Sequence, residues 1–282
     1  LPLYSLVVLI HQFFLLLDEI LFPAYREQKI VQPVLIIGNP RSGTTFLYRL
    51  LSQDREHFTS FTLWELVLAP SITQRKIIWG LAAVDRWLGN PVEKIVQWVN
   101  RRFKQSILHP IHKLKLKAAE EDEHVMFYSF STILLHNFYP FPEIFSYAYF
   151  DQQIPKQKKK KVMQSYKRML QGHLFGDGGE KILLSKNPSH SSKIEVLTAL
   201  FPEARFIKLV RNPMDAVPSL LNLLAVGLDT FCDPADPYVF AEDIMALMHH
   251  HYLYPLEFFE DKPGICKFLK YDALVQHADR EV

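Results

Sequence analysis

The sequence predicts a three-layer α/β fold, a parallel sheet flanked by helices, and three segments carry that expectation. Residues 34–51 read VLIIGNPRSGTTFLYRLL, residues 181–190 read KILLSKNPSH, and residues 204–221 read ARFIKLVRNPMDAVPSLL. Each opens with a short apolar run of strand length and ends in polar residues ahead of a helix. Strands separated by helices join as parallel crossovers, which gathers their carboxyl ends, and any site, along one edge of the sheet.

In the first segment, a small-residue loop with one arginine follows the strand. The backbone N–H groups of Ser42, Gly43, Thr44 and Thr45 are expected to open a helix at Phe46, aiming unpaired donors and the positive end of its dipole at a phosphate. Gly43 permits close approach, and the Thr44 and Thr45 hydroxyls add donors. The Gly38-to-Gly43 spacing fits the nucleoside triphosphatase loop G-x-x-x-x-G-K-S/T. Thr44, however, stands where that loop needs the lysine for the β and γ phosphates, and the charge lies instead at Arg41. ATP or GTP hydrolysis is therefore disfavoured.

In the downstream segment, Arg211 closes a strand and Ser219 follows two turns into the next helix. A guanidinium at a strand end is a planar, permanently charged fork for phosphate, and the serine can face the same oxygens. Asn212 suits the helix cap and Pro213 its first turn. Pro218 removes a helical hydrogen bond just before Ser219, so a kink is expected there.

Together the two segments resemble sulfotransferases that use 3′-phosphoadenosine 5′-phosphosulfate (PAPS), of the bacterial, tyrosyl-protein and carbohydrate type. Pro40, Arg41, Ser42, Gly43, Thr44 and Thr45 match their P-K/R-S-G-T-T loop, and Arg211 to Ser219 keeps the spacing of R-N/D-P-x-D/E-x-x-x-S. The resemblance implies a P-loop-like sulfotransferase fold with a helical insertion over the acceptor side. It also implies that Arg41, Ser42, Gly43, Thr44 and Thr45 hold the 5′-phosphosulfate while Arg211 and Ser219 hold the 3′-phosphate. PAPS would be the co-substrate, with no metal required. The implied reaction is in-line transfer of a sulfuryl group to a hydroxyl or amine of a small-molecule, lipid, glycan or protein acceptor.

Catalysis of that kind rests on positioning and charge stabilisation. Arg41 would stabilise charge on the leaving phosphate, and Lys186, similar to the lysine of the family's K-x-P segment, would neutralise the transferring group. For the general base, Glu65 in TLWEL resembles the glutamate that follows the loop in several relatives, and an apolar cleft lined by Trp64 would help it take a proton. His190 is the rival, since imidazole titrates near neutrality. In the acidic run Glu120 to Glu123, only part can converge, with Glu121 or Glu123 lining the acceptor pocket. His249, His250 and His251 are adjacent, poorly spaced for a metal, and expected on a partly exposed helix face.

The 282 residues carry a net charge of +2 and 49% hydrophobic content, enough for one large domain and no call for nucleic acid. Cys232 and Cys266 give no disulfide framework and are expected to be free thiols. Lys156 to Lys161 is expected to be solvated. Residues 1–30 are expected to form an apolar N-terminal helix, core-packed or lying on a membrane through residues 1–23, and the resemblance implies that residues 31–282 are the sulfotransferase domain. Helices over 63–105, with apolar positions from Trp64 and Leu68 to Val96 and Trp98 and a break at Gly89, Asn90 and Pro91, would cover the acceptor side. The chain lacks an initiating methionine and ends soon after Tyr271 to Leu274, the counterpart of a Y-E-D-L segment, so it is expected to be a fragment lacking its C-terminal part. A cytoplasmic location is expected, with the Golgi lumen the alternative if an anchor precedes residue 1. Two competing functions are a P-loop nucleotide kinase, countered by Thr44 and Arg211, and a nucleotide-binding non-enzymatic membrane-associated protein.

Overall fold

A computed structural model describes residues 2–90, 94, 98, 116–137, 141–231, 236 and 238–281. Expectations at Pro91, Val96 and Cys232 lie outside the described residues.

Five strands, β1 (Val34–Gly38), β2 (Phe58–Thr59), β3 (Ile182–Lys186), β4 (Arg205–Val210) and β5 (Cys266–Lys270), form a sheet of order β2-β3-β1-β4-β5 in which every pairing is parallel. Period-two alternation divides the apolar residues between two cores. Leu35, Ile37, Leu183 and Phe206 face the helices Lys156–Gly176 and Ile194–Leu200, while Ile36, Leu184, Leu209 and Leu269 meet Leu47, Tyr48 and Leu274 on the opposite face. The three-layer expectation holds. Strand β2 was not anticipated, because two residues leave no periodic signal; it pairs Phe58 with Ile182 at the sheet edge.

The chain leaves β1 for β3 on one side and later returns to β4 on the other, so the carboxyl end of β1 lies at the point where the topology switches direction. The helix after it spans Thr44–Leu51 with Gly43 as its cap, two residues earlier than the expected start at Phe46. The backbone of Gly43 takes φ +89°, a left-handed conformation that lets its carbonyl accept the first helical bonds from Phe46 and Leu47. The second phosphate segment has the expected cap: Asn212 Oδ1 accepts from Met214 N at 3.0 Å, with Pro213 opening the helix Pro213–Phe231. That helix is continuous through Pro218.

The histidine run departs from expectation at one position. His249 is exposed and His250 stacks on Tyr254 at 5.2 Å, but His251 is buried at 1% exposure, because it faces the core from the helix Ala241–Phe259. Lys156 to Lys161 opens the helix Lys156–Gly176 with mostly solvated side chains. Cys266 is a free thiol, its pKa pushed up to about 12 by burial.

Candidate active site

The loop after β1 is tied down from beneath. Asn39 is fully buried, its side-chain amide donating to Met248 O at 3.0 Å, while Ser42 Oγ donates back to Asn39 O at 2.6 Å. These bonds use polar side chains under the loop and leave Arg41 exposed above it. Arg41 adopts φ +66°, an uncommon conformation for a residue with a side chain. From there its Nε donates to Ser219 Oγ at 2.9 Å. Two residues 178 apart in sequence thus meet, joining the two phosphate segments read independently from the sequence.

Arg211 completes that junction. It donates through a terminal nitrogen to Arg41 O at 2.9 Å, and its guanidinium lies over the Tyr271 ring at 4.7 Å. Its Nε is buried with no hydrogen-bond partner among the described atoms. A permanently charged donor left unpaired is costly unless an anion completes it, so the donor set suits a phosphate. The sequence did not single out Tyr271 for this position; the signal available was an aromatic residue immediately after β5. Tyr271 also closes on the other loop, since a Cβ at Gly43 would lie 2.4 Å from its Cδ2.

On the opposite side of β1, Lys186 ends β3 with its side chain 3% exposed, donating to Thr45 Oγ1 at 3.1 Å and ion-paired with Glu121. Glu121 arrives there because residues 116–121 run alongside residues 61–64: Ala119 bridges Thr62, and Glu120 N donates to Phe61 O at 2.9 Å. The neighbouring acidic residues point elsewhere. Glu123 is enclosed by Thr132, Asn187, Ser189 and Lys193, with Lys193 Nζ at 3.3 Å, a buried cluster that pins the segment after β3. Asp122 accepts from Tyr166 OH at 2.6 Å, and burial pushes its pKa up to about 6.

Glu65 sits in surroundings different from those expected. One carboxylate oxygen closes a capping box, accepting from Thr62 N at 2.8 Å and Thr62 Oγ1 at 2.6 Å. The other faces the buried Arg75 guanidinium at 3.7 Å and His173 at 3.9 Å. His173 is held neutral, its pKa pushed down to about 3 by burial and the Arg75 charge. Trp64 packs edge-on against Trp79 at 6.4 Å. The helix turn that puts Glu65 at its third position also commits the carboxylate to the cap. His190 is wholly buried against Tyr166, and burial followed by the Lys193 charge holds its pKa well below the usual imidazole value. An enclosed imidazole offers an acceptor no path, so the structure does not bring His190 to the site.

Arg41, Thr45, Lys186, Arg211 and Ser219 therefore line the carboxyl ends of β3, β1 and β4 as a row of cationic and hydroxyl donors. The sulfotransferase family profile matches residues 33–282. The chain belongs to the sulfotransferase family. It is 29% identical over 229 residues to the omega-hydroxy-beta-dihydromenaquinone-9 sulfotransferase Stf3 of Mycobacterium bovis, and equally to that of Mycobacterium tuberculosis. The alignment takes in 78% of this chain and 53% of each relative, so the chain spans about half the length of the curated relatives it matches. Among solved structures, sulfotransferase STF9 from Mycobacterium avium aligns with a TM-score of 0.75 at 21% identity, over 96% of this chain and 67% of that one. Sulfotransferase STF1 from M. tuberculosis aligns with a TM-score of 0.70 at 18% identity, over 96% and 70%. At these identities the likeness is one of fold.

Proposed function

We propose that this sulfotransferase-family chain transfers a sulfuryl group from PAPS to an acceptor hydroxyl, and the observation that carries the proposal is the Arg41–Ser219 contact at 2.9 Å. That contact puts a loop suited to a 5′-phosphate beside an arginine and serine suited to a 3′-phosphate, a pairing that ATP would not use. PAPS supplies an activated sulfuryl group on a phosphate leaving group. The Gly43, Thr44 and Thr45 amides and the two threonine hydroxyls bind that phosphate, Ser42 braces the loop from beneath through Asn39 O, and Arg41 neutralises the charge the phosphate gains. Arg211 and Ser219 hold the 3′-phosphate, and Lys186 balances charge on the transferring group. Glu121 takes the acceptor proton, because of the two glutamates it is the one beside Lys186, whereas Glu65 is bound into its cap and ion pair. The acceptor is a hydroxyl on an apolar, lipid-like carrier, a class supported by the name of the mycobacterial relatives' substrate.

Labelled PAPS assayed against a panel of hydroxylated lipids, phenols and glycans tests the reaction, with 3′,5′-bisphosphate and ATP titrations testing the site. Arg211→Ala is expected to weaken the 3′,5′-bisphosphate at least roughly tenfold more than adenosine 5′-phosphate, as the loss of a charge-assisted phosphate contact implies. Magnesium-dependent ATP binding with no response to the bisphosphate overturns the proposal.

A further inference from the structure

The two helices Pro2–Leu21 and Ile72–Trp87 pack together with their polarity reversed. On the first, the inward positions include His11 at 4% and Asp18 at 3% exposure, whereas Leu6, Leu9, Phe13, Leu16 and Ile20 form a stripe exposed at 54–75%. The polar groups are used in the packing. His11 Nδ1 lies 3.2 Å from Gln74 Oε1, and Asp18 caps the second helix by accepting from Ile72 N at 2.7 Å and Thr73 N at 2.8 Å. The second helix repeats the inversion. Thr73, Gln74 and Arg75 are buried, while Ile77, Leu81, Val84 and Leu88 recur every three or four residues at 46–63% exposure. A water-facing helix hides its apolar residues; here Val8, Leu15 and Ile72 turn inward but each helix also carries a second, exposed apolar stripe with polar side chains buried behind it.

We infer that this paired face docks on a lipid bilayer carrying anionic headgroups, the helices lying in its interfacial plane. Charge selects that occupant. Exposed Lys76 and Arg86 flank the second stripe, while on the first helix Asp18 is buried and Glu19 pairs with Arg26 and Arg168. A second copy of the same face would bring the two Lys76 and two Arg86 cations together against one half-exposed carboxylate per copy, Asp85, whereas phosphate headgroups neutralise them. Trp87, 84% exposed, and Trp79, 45% exposed, supply the aromatic rings favoured at headgroup depth. Among the described residues no helix is long and apolar enough to cross a membrane. A 20-residue helix about 30 Å long with one apolar face is suited to lie flat. Docking needs no step of the sulfuryl transfer, so it stands or falls separately from the proposed reaction.

The test is co-sedimentation of the intact protein with vesicles of phosphatidylcholine alone or mixed with phosphatidylglycerol. Binding is expected to the mixed vesicles, falling as salt is raised. The double variant Phe13→Gln/Leu16→Gln is expected to weaken it roughly tenfold or more, and Lys76→Glu/Arg86→Glu to remove the preference for anionic lipid. Both variants should keep wild-type affinity for 3′,5′-bisphosphate, since their side chains are exposed and away from the phosphate loop. Failure of the wild-type chain to bind mixed vesicles overturns the inference. So does unchanged vesicle binding by the apolar double variant, or a concentration-dependent dimer that this variant abolishes while vesicles are ignored.

Discussion

Replacing Gly43 by alanine tests how the two phosphate segments are coupled. Two costs are legible. The backbone at φ +89° is left-handed, which disfavours a residue with a Cβ by about 1–2 kcal/mol. The added carbon would also lie 2.4 Å and 2.6 Å from two carbons of the Tyr271 ring, so the ring must move, at about 1–3 kcal/mol for overpacking. Tyr271 is the ring beneath the Arg211 guanidinium at 4.7 Å, a contact worth roughly 0.5–1 kcal/mol where exposed. Gly43→Ala should therefore destabilise the chain by about 2–5 kcal/mol and also weaken 3′,5′-bisphosphate, although Gly43 belongs to the other loop. A cycle of Gly43→Ala, Tyr271→Ala and the double variant, followed by urea unfolding and bisphosphate titration, separates the two costs. Removing the ring relieves the clash but leaves the backbone strain, so the double variant should be more stable than the sum of the singles by about 1–3 kcal/mol. Additivity within about 0.5 kcal/mol, or bisphosphate affinity untouched by Gly43→Ala, refutes the reasoning.

Two further outcomes follow from individual side chains. Glu121→Gln should keep bisphosphate binding and lose turnover by roughly 100-fold or more, the usual scale of a general base. Glu65→Gln should instead lower thermal stability through its cap and Arg75 contacts, and the reverse pattern would return the base assignment to Glu65. For Asp122, desolvation raises the folded-state pKa from the ordinary 3.8 to about 6. Between those values the folded chain binds a proton that the unfolded chain has lost, so stability falls as pH rises through that window and stays lower above it. Asp122→Asn should abolish that slope and raise stability at neutral pH by up to about 3 kcal/mol, measured by urea unfolding across pH; parallel profiles for the two proteins would sink this account.

Much of the fold was legible because its signals are local. The apolar runs of β1, β3 and β4, the Gly38-to-Gly43 loop and the Asn212–Pro213 helix start each depend on a few neighbouring residues. Helix starts were less legible: Gly43 takes the cap because its left-handed backbone lets its carbonyl serve Phe46 and Leu47, a conformation that composition permits without fixing. Least legible were surroundings made by distant chain. Glu65 looked like a carboxylate beside a tryptophan, yet Arg75 and His173 arrive from two other helices to enclose it. His190 was the rival base on its imidazole alone, yet Tyr166 and the core close over it.

By itself the sequence determined an α/β chain with two segments of phosphate-binding form: Thr44 in place of the triphosphatase lysine, and an arginine and serine eight residues apart downstream. Strand ends and helix starts supply those donors locally, so their pattern survives in one dimension. Only the tertiary structure decided that the donors share one site. Parallel pairing sets β3 and β4 on either side of β1, bringing Lys186 to Thr45 and Ser219 to Arg41. It likewise turned His11 and Asp18 inward and Leu6, Leu9 and Leu16 of the first helix outward, because which face of a helix is buried depends on what packs against it.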